Sequence, residues 1–151
     1  MSGEMDLGKI AVFEDDEGTW FPFSDDPFFS GFEIKLRFLD PKTIDRIRRK
    51  CLRIALGKEE LDEEKFFRLT TEYSFVGFRG LTVRMLKRLM PLREVRLPGG
   101  KVLEDDDEIP YSPKNALFLR ENSYAIRRFI SEHQLEWERF YERKREAELK
   151  N

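Results

Sequence analysis

Apolar and charged residues alternate strictly along Phe32–Phe38, with Phe32, Ile34, Leu36 and Phe38 set against Glu33, Lys35 and Arg37. A period of two sends the two sets to opposite faces of an extended chain, so this segment predicts a half-buried β-strand. Thr19–Phe23 and Lys9–Phe13 have the same strand character, with turns expected at Asp15–Gly18 and Ser24–Pro27. Together they predict a small antiparallel sheet with one wet face. The period changes at Asp40-Pro41, a cap residue followed by a proline suited to the first helical position. Ile44, Ile47, Cys51, Ile54 and Ala55 then recur at helical spacing, and Gly57 predicts the stop. Asp62 caps a second helix, with Leu61 and Phe66 at hydrophobic-staple spacing and Leu69, Thr70 and Tyr73 continuing one face. That helix is expected to end near Phe75–Gly80, where two glycines among aromatic residues imply a turn or close backbone packing.

Val83–Met90 reads as a short basic amphipathic helix stopped by Pro91. Arg93–Leu97 and Lys101–Leu103, joined through Pro98-Gly99-Gly100, predict a hairpin. An acidic turn, Glu104–Glu108, leads to an extended Ile109-Pro110-Tyr111 and a helix capped by Ser112 with Pro113 at its first position. The remainder predicts one helix from about Ser123 to Glu148, with an apolar stripe of Tyr124, Ile126, Phe129, Ile130, Trp137, Phe140 and Tyr141. The expected fold class is α+β: a small N-terminal antiparallel sheet packed on a mainly helical body with a long C-terminal helix. At 151 residues the chain fits one domain, 1–151. Its parts are a β-rich 1–39, a helical pair 40–81, an inserted helix, hairpin and acidic turn 82–108, and C-terminal helices 109–151.

Composition narrows the function classes. Hydrophobic residues are 40% of the chain, enough for a core, while charged residues reach 38%, well above the usual quarter or so. The 28 basic and 30 acidic residues nearly cancel to −2, which argues against a globally basic nucleic-acid binder. No apolar run approaches the roughly 18–20 residues that span a bilayer, and Met1–Asp6 has neither the basic nor the apolar part of a signal peptide. The expectation is a cytoplasmic protein with no membrane partner. Cys51 and His133 are the only residues of their kinds, so an intrachain disulfide is excluded and a Cys/His zinc site is not supported. Glu104–Glu108 lacks the alternating ligands and turn glycine of a calcium loop. Ser112 sits in no nucleophile elbow, and the glycines near residue 80 precede no Gly-Lys-Ser/Thr. No catalytic residue, metal ligand or cofactor is expected.

Three places remain for a partner protein. Seven of the 14 Phe residues fall within Phe13–Phe38, among them Phe28 and Phe29. Met85 and Leu89 lie on the basic helix, and Trp137, Phe140 and Tyr141 share one face near the C-terminal end. Each could dock a partner or fill a core. Arg46, Arg48, Arg49, Lys50 and Arg53 crowd one helix, as a nucleic-acid or regulatory face or as a solvated face offset by the acidic residues Glu59–Glu64.

The order of three motifs carries a resemblance. Gly18-Thr19-Trp20-Phe21 with Phe32–Arg37, then Phe78-Arg79-Gly80-Leu81, then Ile109-Pro110-Tyr111-Ser112-Pro113-Lys114-Asn115 resembles the tail assembly chaperones of long-tailed bacteriophages and their prophages. Phe78 stands where Trp is common in that family, Lys114 replaces the usual acidic residue, and 82–103 is longer than the family's short turn. The resemblance implies a non-enzymatic protein of the host cytoplasm, absent from the finished virion. It implies that the chain holds the long helical tape measure protein soluble while tail tube subunits polymerise. The tail tube protein and further copies of the chain itself are the other candidate partners. The other classes open at this point are the nucleic-acid or regulatory module on Arg46–Arg53 and a structural tail or head-completion protein.

Overall fold

The computed structural model describes residues 5–10, 12, 17–96 and 99–150. Its elements run β1 (Thr19–Pro22), β2 (Glu33–Leu36), α1 (Pro41–Lys50), β3 (Leu52–Ala55), β4 (Lys58–Leu61), α2 (Glu63–Ser74), β5 (Phe75–Arg79), α3 (Val83–Leu89), α4 (Pro113–Asn122), α5 (Tyr124–His133) and α6 (Trp137–Leu149). The fold is α+β, as the patterning predicts.

β2 lies at the centre of a three-stranded antiparallel sheet ordered β1-β2-β5. The register aligns Phe21, Ile34 and Phe78 in one row and Trp20, Lys35 and Gly77 in the next. Because successive side chains point to opposite faces, the first row enters the core, where Ile34 and Leu36 are fully buried. The second row is covered in part: Trp20 and Lys35 are half-buried, and the Arg79 guanidinium lies 4.0 Å from the Trp20 ring centre and pairs with Glu33 at 2.9 Å. The third strand follows α2 without a break, where the sequence reading expects a turn. The strand expected at Lys9–Phe13 is replaced over Leu7–Lys9 by a single 3₁₀ turn, its Gly8 amide bonded to the Asp6 carboxylate at 2.9 Å. Ala11, Phe13 and the expected turn at Asp15-Asp16 lie outside the described residues, as does the Leu97-Pro98 part of the expected hairpin. Around that gap, Arg96 bridges Val102 in antiparallel fashion and the Leu103 amide donates to the Val95 carbonyl at 2.7 Å.

Two apolar clusters hold the elements together. The larger one packs side chains from α3, α4, α5 and α6 with the inner face of the sheet, and Phe140 is among its fully buried members. The smaller one, Leu39, Ile47 and Cys51 with Ile44, Leu61, Phe66, Leu69 and Tyr73, joins α1, β4 and α2. Side-chain caps start four helices: Asp62 and Ser112, as expected, accept from the Lys65 and Asn115 amides, and Thr82 and Ser123 accept from Met85 and Ile126. Asp40, read as the cap of α1, makes no such bond, and Pro41 at the first turn starts that helix.

The structure corrects the reading of α1. The helix stops at Lys50, and Leu52–Leu61 forms a separate two-stranded hairpin, with Gly57 in its turn rather than ending a helix. Leu56 and Gly57 have φ of 52° and 74°, the pair of left-handed residues that a tight two-residue turn requires. Arg53 faces Glu60 across the strands and pairs with it at 2.9 Å. The C-terminal helical stretch is divided in two at Gln134–Glu136. There the Gln134 carbonyl accepts the Leu39 amide at 2.8 Å and its side-chain oxygen accepts the Ser74 hydroxyl at 2.8 Å. A carbonyl committed to a distant amide no longer serves the next helical turn.

Candidate interaction surfaces

The second and third motifs meet in space. The chain leaves at Leu81 and returns at Ile109, whose amide donates to the Leu81 carbonyl at 2.7 Å. The Gly80 amide donates to Glu108 Oε1 at 2.7 Å, and Val83 donates to the Asp107 carbonyl at 3.0 Å. The Phe78 and Tyr111 rings meet edge-on at 5.5 Å. Asn115 closes the corner, its side-chain amide donating to the Pro110 carbonyl at 2.9 Å. Gly80 makes this joint possible. Its φ is +74°, and a Cβ there would lie 1.9 Å from the Gly31 carbonyl oxygen. Thus the two motifs meet at one joint, and the ends of 82–108, through Val83, Asp107 and Glu108, help to close it.

The acidic turn in that loop clamps α3. Asp105 meets Lys87 at 2.6 Å and Asp106 meets Arg84 at 3.1 Å. The hydrogen bond from Lys87 holds the Asp105 carboxyl below its ordinary range. No group of three or more His, Cys, Asp and Glu residues among the described ones could hold a metal ion.

The structure removes four of the seven candidate partner residues from the surface. Phe29, Met85 and Leu89 are each 8% exposed, and Phe140 is fully buried, with its ring 5.0 Å from that of Phe21. Phe28 is half-buried beneath Arg88, whose guanidinium lies 4.2 Å from its ring. Trp137 is half-buried against Phe38 at 5.3 Å. Of the seven, only Tyr141, 49% exposed, faces solvent. The helical period marks the apolar face of a helix without saying whether this chain or another covers it.

The apolar side chains that do reach solvent include three on the hairpin. Leu52 is 39% exposed, Ile54 81%, and Leu56 fully exposed at the tip. Sequence reasoning missed them because Ile54 fits the helical spacing; the usable signal was Leu52–Ala55 alternating ahead of a glycine. On α4, half-exposed Phe118 borders a cavity of about 270 Å³ lined also by Leu86, Val95, Leu103, Ile109 and Leu119. Along α1, Lys42, Arg46, Arg49 and Lys50 surround Asp45 on an open face. Asp45 pairs with Arg48 at 3.5 Å, and the four cations make no ion pair among the described residues.

The buried polar groups serve the fold. Arg120 is 4% exposed; Nη1 donates to Thr71 Oγ1 at 2.7 Å, the guanidinium stands 4.8 Å from the Phe67 ring, and Nε has no partner among the described residues. Burial, with Arg127 adding repulsion, pushes it down to about 10, so it stays charged at neutral pH. His133 stacks on Phe129 at 3.9 Å; Nδ1 lies 2.7 Å from the Phe129 carbonyl and Nε2 lies 3.0 Å from Arg139 Nη1. These partners assign the neutral ring with its proton on Nδ1, and burial holds its pKa below the ordinary value. Cys51 is buried in the smaller cluster. No helix among the described residues is long and apolar enough to cross a membrane. Comparison of the chain with models of known protein families, with characterised proteins and with solved structures finds no match.

Proposed function

We propose that this protein is a non-enzymatic tail assembly chaperone of the phage or prophage type, which binds a long helical tape measure protein and keeps it soluble until the tail tube encloses it. The observation that carries this reading is the joint between Phe78–Leu81 and Ile109–Asn115. Two motifs whose order resembles the family lie almost thirty positions apart in the chain, yet bond backbone to backbone, Ile109 to Leu81, with Gly80 fitted against Gly31. A sequence likeness produced by chance would have no reason to fall on residues that build one corner of a fold. The buried side chains of Arg120, Ser74 and Gln134 are engaged in packing and hydrogen bonds within the fold, which suits a protein that works by contact.

Release as the tube grows requires many weak, replaceable contacts, and a highly charged surface keeps such a complex soluble. A temporary cover is present during assembly and lost at its end. Quantitative mass spectrometry of assembling lysates and of purified mature particles tests this directly. The protein is expected in the first and absent from the second; a fixed copy number in mature particles refutes the chaperone reading and favours a structural tail or completion protein.

The cations on α1 favour a second reading, a nucleic-acid or regulatory module. Binding to DNA through Lys42, Arg46, Arg49 and Lys50 would weaken steeply with salt. No binding at low salt eliminates it.

A further inference from the structure

The hairpin bears two costs that the fold of the isolated chain does not offset. Leu56 is the only non-glycine among the described residues with positive φ. A left-handed Leu costs about 1–2 kcal/mol, and Asn, Asp or Gly are the usual residues of such a turn. That same side chain is fully exposed, as is most of Ile54. Two-stranded hairpins are also marginal on their own.

The register explains what this arrangement presents. Leu52 faces Leu61, and Ile54 faces Glu59, across the two strands. Directly paired residues share a face, so Leu52, Ile54, Glu59 and Leu61 lie on one side and Arg53 and Glu60 on the other. Leu61 packs against the smaller apolar cluster. The apolar face therefore starts on the core at its base and overhangs it toward the tip, where Ile54 and Leu56 have nothing beneath them. At the base, only Cys51 separates Leu52 from Lys50, the last of the unpaired cations of α1.

We propose that this overhang and the cationic face of α1 together form the docking surface for an amphipathic helix whose apolar stripe carries carboxylates on the flank toward α1. The proposal rests on the chaperone reading for the helical nature of the occupant, and on the four α1 cations for its acidic flank. Glu59, beside Ile54 on the overhanging face, calls for a cation on the opposite flank and disfavours an anionic bilayer as occupant. Three apolar side chains along Leu52–Leu56 match the rows of apolar residues on successive turns of a helix.

The test uses the full chain and designed helical peptides of about 21 residues, long enough to hold a helix, with a Leu stripe flanked by Glu on one side and Lys on the other. Controls carry Lys on both sides, or an alternating strand pattern. Fluorescence anisotropy is expected to show the Glu/Lys peptide bound, the Lys/Lys peptide about tenfold weaker or worse, and binding weakened by salt. Ile54→Thr with Leu56→Asn leaves a strand-compatible residue and relieves the turn. The melting temperature should hold or rise while affinity falls at least about tenfold. Arg46→Glu with Arg49→Glu should reverse the preference between the two peptides. Equal binding by the hairpin variant, equal affinity for both helical peptides, tighter binding of the strand peptide, or no binding at all overturns the proposal. Solubilisation of a tape measure protein separates the two levels: failure by the wild-type chain sinks the chaperone reading, whereas success that survives the hairpin substitutions sinks only this surface.

Discussion

Replacing Gly80 with Ala tests the joint at its tightest point. Two terms add. The first is conformational: φ is +74°, and a left-handed Ala costs about 1–2 kcal/mol. The second is steric: the new Cβ would stand 1.9 Å from Gly31 O and 2.7 Å from Gly31 C, where contacts under 3.0 Å are essentially never found. The obstacle is backbone on both counts, so no side chain can rotate away, and the chain must shift by about 1 Å. Overpacking of this kind costs about 1–3 kcal/mol. The expected loss is about 2–5 kcal/mol, against a total of about 5–15 for an ordinary domain. Gly57 supplies the control, with the same φ of +74° and nothing within 4 Å of the point a Cβ would occupy; Gly57→Ala therefore carries the first term alone. Urea unfolding at 25 °C, followed by the fluorescence of Trp20 and Trp137, reads both variants. With a slope of about 2 kcal/mol per molar urea, Gly57→Ala should lower the midpoint by about 0.5–1 M and Gly80→Ala by about 1–2.5 M. Equal shifts would refute the close approach of Gly80 to Gly31.

Phe140→Ala should cost about 3–5 kcal/mol, because its ring is fully buried between those of Phe21 and Phe38. Tyr141→Ala, one position on and half-exposed, should change stability by less than about 0.5 kcal/mol; chemical denaturation separates the two. Arg120→Met tests whether the buried cation helps the fold. Lowering of its pKa by burial to about 10 corresponds to an unfavourable contribution of order 3 kcal/mol, set against the Thr71 hydrogen bond and the Phe67 contact, together about 2 kcal/mol. The melting temperature should hold or rise, and a loss above about 2 kcal/mol would contradict this. His133 should make the fold acid-sensitive. Its folded pKa lies below the unfolded value, so its contribution is complete above pH 6.5 and is lost as pH falls through the folded pKa. Wild type should melt lower at pH 5.5 than at pH 7.5, and His133→Gln should remove most of that difference.

The elements legible in the sequence were those whose local chemistry and tertiary role agree. Phe32–Phe38 alternates, and the strand formed there has Ile34 and Leu36 buried with Glu33 and Lys35 on the other face. Asp62, Ser112 and their followers cap helices where cap residues should. The misreadings fall where two periods coincide or where a distant group decides. Ile54 and Ala55 fit both the helix of α1 and a strand, and the pairing of Leu52–Ala55 with Lys58–Leu61 across the Leu56-Gly57 turn separates the two. Nothing local to Gln134 announces a break, because Leu39 and Ser74 cause it from far along the chain. β5 was hidden because Phe75–Arg79 becomes a strand by pairing with β2. The partner residues were the least legible. Phe29, Met85, Leu89 and Phe140 carry the same periodic signal as a docking face, and burial by the chain's own sheet assigns them to the core. The side chains that are exposed, Ile54 and Leu56, were concealed by a helix that ends sooner than expected.

The most direct measurement is the soluble yield of a tape measure protein expressed alone and together with this chain at matched levels. The client, largely insoluble alone, is expected to become soluble and to elute in complex with several copies of the chain. An unchanged insoluble fraction, with the chain itself folded and abundant, would contradict the chaperone reading.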